Sequence, residues 1–368
     1  MRGRRAGLVA AIVTALIATA SPASADIEAT VRSMTLRQKV GQLVMFSVQG
    51  LQLSSAEADV IRRHRLGGVI LFASNYSNRQ QLTALTSRIQ TVTRRASGAR
   101  VGALISVDQE GGVVKRFKDM PPWRSAPELG RIGSNGVARN EGRATGSALR
   151  AAGVNVDLAP VADLDIGPEH VMRSRSFGSR PKRVARLATS FALGLQDRRV
   201  VATLKHFPGL GGADRNSDYG PAYVRRTRWQ LRHIDIVPFR RAINEGVRMV
   251  MLSHAIYPND GGRRPASLSR YIAELRLRRD LGFEGLSISD AIDAMTWWYG
   301  GSFAKTCRGT IDAGVDIALL ASGVHAAAAC AEAIRRGVRS GAISRSHVDA
   351  AVTRVLRAKR WLRVYVPA

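Results

Sequence analysis

The chain has 368 residues, 45% of them hydrophobic, and sets 56 Lys and Arg against 28 Asp and Glu for a formal net charge of +28. That length and apolar content exclude bulk disorder and fit one large domain or two ordinary ones. The positive charge would gather anionic polymers such as cell-wall glycans or nucleic acid. However, the arginines are spread along the chain, as in Arg225-Arg226-Thr227-Arg228 and Arg276-Leu277-Arg278-Arg279. Solvated helix faces therefore explain them better than a dedicated nucleic-acid surface, for which one basic block with interleaved aromatics is expected.

Residues 1–25 read as an export signal: Arg2, Arg4 and Arg5, then the apolar run Ala6 to Ala18, then the small-residue pattern Ala23-Ser24-Ala25 before Asp26. The run is too short to span a bilayer comfortably, so no integral membrane segment is expected after cleavage. Losing those three arginines would take the charge from +28 to +25. The expected mature product, residues 26–368, is periplasmic or secreted.

Eight short apolar runs follow: Gly41 to Phe46, Gly68 to Phe72, Val101 to Val107, Val154 to Ala159, Val200 to Leu204, Val247 to Leu252, Leu286 to Ser289 and Val315 to Leu320. Segments of helical periodicity alternate with them: Ala56 to Arg65, Arg79 to Arg95, Ala138 to Ala152, Arg183 to Leu195, Trp229 to Glu245, Ala326 to Arg336 and a closing Arg345 to Leu362. Eight β-then-α units predict an α/β fold, a single (β/α)8 barrel of the TIM type. A doubly wound open sheet is the alternative. It requires a glycine-rich phosphate loop after the first strand, and Phe46-Ser47-Val48-Gln49-Gly50 does not supply one. The longest irregular stretch, Lys118 to Asn135, is expected to fold over the barrel mouth. Cys307 and Cys330, the only cysteines, allow a disulfide or two buried thiols, and no cysteine metal site is supported.

In such barrels the chemistry gathers at the carboxyl ends of the strands. There the sequence places Asp108-Gln109-Glu110, Asp163, Lys205-His206, Ser253-His254 and Ser289-Asp290, with Arg116 and Arg175 in nearby loops. Carboxylates mixed with Lys, Arg and His donors suit a hydroxyl-rich carbohydrate ligand, because each hydroxyl both donates and accepts. Glycoside hydrolysis needs two acid-base or nucleophilic groups flanking one bond. Asp290, directly after its strand, is the best nucleophile candidate; its bland alternative is a helix N-cap. Asp108 could instead belong to a turn, and His206 and His254 could be satisfied core histidines.

Several motifs in order resemble family 3 of the glycoside hydrolases, and within it the single-domain bacterial β-N-acetylglucosaminidases (β-N-acetylhexosaminidases). They are Met34 to Gln42, Val107 to Gly112 followed by Arg116-Phe117, Val154 to Asp163, Arg175-Ser176-Phe177-Gly178, and Lys205-His206-Phe207-Pro208-Gly209. The resemblance implies a retaining mechanism with Asp290 as nucleophile, and a sugar held by Asp108, Arg116, Arg175, Lys205 and His206. Asp163 and His254, at their strand ends, join the expected substrate-binding set. Neither a metal nor an organic cofactor is called for.

The chain departs from that pattern at one loop. The glucosaminidase branch carries Asp-Ser/Thr-His at the loop tip, where the Asp-paired His is the acid/base; here Asn216-Ser217-Asp218 stands in its place, and Leu210 replaces a second His. Asp218, itself titratable, is the expected substitute. A pair formed by Asp290 and Asp218 would need to stand about 5 to 5.5 Å apart for retention. The readings that compete are a catalytically silent glycan-binding barrel, a β-glucosidase and a polyanion binder. The bond itself could lie in peptidoglycan fragments, chitin oligomers or a plain β-glucoside.

Overall fold

The computed structural model describes residues 22–97, 100–298 and 301–365. Most of the expected export signal lies outside them; its last residues form the first turn of a helix, Pro22–Ser33.

Eight parallel strands close a barrel in chain order: β1 Val44–Ser47, β2 Gly68–Leu71, β3 Leu104–Val107, β4 Val156–Asp157, β5 Val201–Phe207, β6 Met249–Leu252, β7 Leu286–Ala291 and β8 Ile317–Leu319. Each strand pairs with its neighbour in sequence, and β8 returns to β1 through Val44 opposite Ala318 and Met45 opposite Leu319. Because all eight are covered by helices outside and packed side chains inside, they read as apolar runs rather than alternating ones. That is why all eight were visible in the sequence.

Eight helical segments follow the strands: α1 Ser55–His64, α2 Arg79–Ser97, α3 Asn135–Ala151, α4 Pro181–Asp197, α5 Val237–Asn244, α6 Tyr271–Asp280, α7 Phe303–Asp312 and α8 Val324–Arg339. The wall is closed by the helix Arg345–Trp361. A disulfide joins Cys307 on α7 to Cys330 on α8, both buried, and so answers the alternative left open by the sequence.

Several strand and helix ends differ from expectation by a few residues, and four departures have a clear local reason. Gly41 ends the short helix Leu36–Gly41 rather than starting β1. A Cβ at Gly41 would lie 2.1 Å from the carbonyl oxygen of Arg65, so the approach of these two segments requires glycine. Trp229 to Glu245 is not one helix: a short turn, Arg228–Gln230, and a wide turn, Leu231–Asp235, precede α5, where Pro238 cannot donate to a continuing helix. The stretch Lys118 to Asn135 is not wholly irregular. It contains the helix Ala126–Ile132, started by a capping box in which Ser125 and Glu128 satisfy each other's backbone N–H groups. Lastly, β5 runs on through Phe207, which puts Lys205 and His206 within the strand.

Candidate active site

Past β3, residues Gln109–Gly111 and Val114–Lys115 form a small antiparallel hairpin. Side chains alternate along such a segment. Asp108 and Glu110 thus turn to the barrel mouth, while Gln109 turns away and ties the following loop through the carbonyls of Phe117 and Pro121 and the N–H of Phe117. The Lys205 ammonium, 2% exposed, lies 2.6 Å from Asp108 and 2.7 Å from Glu110. Arg175 makes a two-pronged contact with Glu110 at 2.7 and 3.0 Å. Arg116 reaches Asp108 at 3.7 Å and lies over the Phe72 ring.

These charges fix one another's protonation. Burial would raise the Glu110 carboxyl, but Lys205 and Arg175 outweigh it and hold it at about 2. Burial would lower Lys205, yet Asp108 and Glu110 keep its pKa above the ordinary lysine value. Fully buried Asp157, beneath the hairpin, is pushed the other way: burial first, then Asp108 and Glu110, raise its carboxyl well above the usual range. It accepts one N–H, from Gln109 at 3.0 Å.

The strand-five loop is anchored from behind by Asp163. Its buried carboxylate receives the N–H of His206 at 3.1 Å, the His206 Nδ1 at 2.6 Å and the N–H of Leu210 at 2.7 Å. With Nδ1 committed to that carboxylate, Nε2 faces Asp290 at 3.9 Å. Gly211 lets the loop lie against the chain behind it, since a Cβ there would sit 1.7 Å from the carbonyl oxygen of Leu164. Further along, Asn216 accepts the Asp218 N–H at 3.0 Å, an Asx turn that directs the Asp218 side chain.

Asp290 is the penultimate residue of β7, with a side chain 20% exposed, and among the described residues its Oδ1 accepts the adjacent Ala291 N–H at 2.8 Å and no other. An N-cap would reach two or three residues ahead, so the cap reading does not describe it. Burial favours the neutral acid, but the charges of His206, His254 and Lys205 and the Ala291 N–H outweigh it and hold the carboxyl below its ordinary value. Asp218 shifts upward instead. The crowded mouth comes first among the causes and Asp290 second. Because the Asp218 side chain is open to water at the rim, repulsion by Asp290 is the main reason its carboxyl holds a proton more tightly.

A cavity of about 250 Å³ collects Asp108, Arg116, Arg175, Lys205, His206, Asp218 and Asp290, drawn from four strands and their loops. Two expected substrate contacts do not reach its wall. Asp163 stands behind His206 as described. The ring nitrogens of His254 are spent on the Ser267 hydroxyl at 2.8 Å and the Ala291 carbonyl at 2.9 Å, which steadies the end of β7. Glu110, by contrast, was not singled out from the sequence although it is the partner that Lys205 and Arg175 share. The two-residue alternation from Asp108 was the available signal. Among the described residues no cluster of His, Cys, Asp and Glu is arranged to hold a metal ion.

Residues 35–358 match the model of the Glycosyl hydrolase family 3 N terminal domain. A Beta-hexosaminidase of Nitrosospira multiformis is 35% identical over 294 residues, covering 77% of this chain and 81% of the relative. The glycoside hydrolase family 3 beta-N-acetylglucosaminidase from Paenibacillus superposes with a TM-score of 0.85 at 34% identity, over 91% of this chain and 64% of that one. This chain thus spans just under two thirds of the Paenibacillus protein. The Beta-N-acetylhexosaminidase from Beutenbergia cavernae superposes with a TM-score of 0.83 at 29% identity, over 89% of this chain and 99% of that one.

Proposed function

The chain belongs to glycosyl hydrolase family 3, and from that premise we propose that it is an exported, retaining β-N-acetylhexosaminidase in which Asp218 takes the acid/base role. The observation that carries the reading is the opposite displacement of two carboxyls in one cavity, Asp290 down and Asp218 up. Such divergence is how paired carboxylates divide the roles of nucleophile and proton donor. Asp290, ionised, attacks the anomeric carbon. Asp218, protonated, gives its proton to the departing oxygen, then as a carboxylate takes one from the water that releases the sugar. Asp108, Glu110, Lys205, Arg175 and Arg116 form the polar wall that receives the sugar hydroxyls. Export rests on the basic, apolar and small-residue order of residues 1–25. A cell-wall or chitin-like glycan is the substrate that an exported enzyme of this kind would meet.

The test is kinetic, with an aryl N-acetyl-β-glucosaminide and the matching β-glucoside. Asp290→Asn is expected to lower kcat/KM by more than about 10³-fold. Asp218→Asn is expected to lower it by about 10²–10⁴-fold for poor leaving groups and to lose the alkaline limb of the pH profile. Azide should restore turnover to the Asp218 variant and yield the β-glycosyl azide. Unchanged activity in the Asp290 variant would overturn the nucleophile role, and an unchanged alkaline limb in the Asp218 variant the acid/base role. Sugar binding without turnover by the intact protein would favour a silent barrel.

A further inference from the structure

Beside the sugar cavity, on the far side of the Arg173–Arg180 loop, lies a second cleft of about 390 Å³ into which Arg131, Arg173, Arg180 and Arg183 project. Arg175 serves one cleft and Arg173 the other, so a single stretch of chain separates them. One carboxylate, Asp165, joins the four guanidiniums, and it is already shared by His170 at 2.7 Å and Arg173 at 3.7 Å. Arg183 donates to the Arg131 carbonyl at 3.5 Å, and its guanidinium packs against Gly133. Among the described residues, neither Arg131 nor Arg180 makes an ion pair, although Glu128, one turn before Arg131, attracts it. By contrast, Arg278 and Arg354 converge on one buried carboxylate, Asp316.

The sequence here also works against local helix stability. Arg180 is the N-cap of α4 and makes no side-chain cap, Lys182 and Arg183 follow within the first turn, and no acidic residue stands there. The N-terminal end of a helix dipole favours anions and disfavours cations. A local rule broken without a structural partner is where function is expected to intervene. An oxyanion in the cleft would satisfy the guanidiniums, which present paired N–H donors suited to carboxylate and phosphate.

We propose that this arginine cleft is a binding site for anionic groups, carboxylate or phosphate, carried by the glycan polymer whose bond is cut next door. It rests on the reading of the neighbouring cavity as a glycosidase site for the identity of the polymer, and on its own residues for the charge. The cleft would hold the enzyme on an acidic polymer and leave neutral short substrates unaffected.

Binding of fluorescent poly-glutamate and of polyphosphate at 0.15 M salt, followed by anisotropy, tests the idea independently of turnover. The variant Arg131→Ala/Arg180→Ala/Arg183→Ala should lose at least tenfold in affinity for one of the polymers. Arg88→Ala/Arg94→Ala/Arg95→Ala on α2, with the same loss of charge, should lose less than twofold. Which polymer responds assigns carboxylate or phosphate. Equal losses in the two variants would overturn the site and leave only diffuse attraction by the net charge. Both variants should keep the parent kcat/KM on an uncharged aryl N-acetylglucosaminide; a fall confined to the cleft variant would also count against a separate polymer site. An intact protein that binds polyanions at the cleft but turns over no glycoside would fail the hydrolase reading alone.

Discussion

Glu110 shows how one buried side chain can govern a site without being its chemistry. It neutralises half of the positive charge brought in by Lys205 and Arg175, and both cations are nearly out of water. Removing the Glu110 charge leaves Lys205 with Asp108 but Arg175 uncompensated, and an uncompensated partner of a buried ion pair costs about 3–5 kcal/mol. Glu110→Gln, close in shape, should therefore lower the unfolding free energy by that order and raise KM at least tenfold, because Lys205 and Arg175 lose their common anchor. Urea titration and steady-state kinetics read the two effects. The sign with pH follows from the depressed carboxyl, held at about 2 against about 4.3 when unfolded. The stabilisation is complete above the unfolded value and is lost as pH falls toward 2. Acid unfolding of the variant should begin from a lower stability and fall less steeply through that window.

Among the elements, α7 and α8 flank β8 and are clamped to each other by Cys307–Cys330, which closes a loop of sequence separation 23. A loop of that size is expected to give about 3 kcal/mol by restricting the unfolded chain. The double replacement Cys307→Ala/Cys330→Ala should lower the midpoint of chemical unfolding accordingly. The sugar cavity takes its charged residues from β3, β4, β5 and β7 and their loops, and from β8 and its loop the apolar Leu319 and Ala321, so KM should change by less than twofold. A large KM effect would mean that the clamp reaches the site through β8. The strand-five loop illustrates the opposite arrangement: Asp163, Gly211 and Asn216 hold it by hydrogen bonds and close packing, and no crosslink restrains it.

At the scale of the molecule, the amino ends of the strands are tied together by a buried amine. Lys359, on the last helix, donates to the Gln42 side chain at 2.6 Å and to the Gly67 carbonyl at 2.8 Å, just before β1 and β2. Burial without a carboxylate partner lowers its pKa to about 7. An unfolded lysine titrates near 10.4, so between about 7 and about 10 the unfolded chain holds a proton that the folded one lacks, and stability rises with pH. From pH 7 to pH 9 this amounts to about 2 kcal/mol. Lys359→Met should flatten that part of the profile, whatever its effect on absolute stability. The same slope in parent and variant would refute a neutral amine.

Sequence by itself determined the barrel. Eight buried strands separated by amphipathic helices leave an unmistakable alternation of apolar runs and helical periods, and each strand pairs with its neighbour in the chain. It also brought into view Asp108, Arg116, Arg175, Lys205, His206, Asp218 and Asp290, because the topology sends polar residues just past a strand to one mouth. Boundaries such as the end of β5 were not legible, since a polar Lys-His pair reads as a loop until the ring of strands closes around it. Nor was the division of labour among polar groups. Whether Asp163 faces the sugar or the back of His206, whether His254 is free or bound to Ser267 and Ala291, and which cations Glu110 holds depend on residues tens of positions away. Only the closed tertiary structure decided these, because a side chain's charge, exposure and free lone pairs are set by the neighbours that folding brings within a few ångströms, and their order along the chain does not encode that distance.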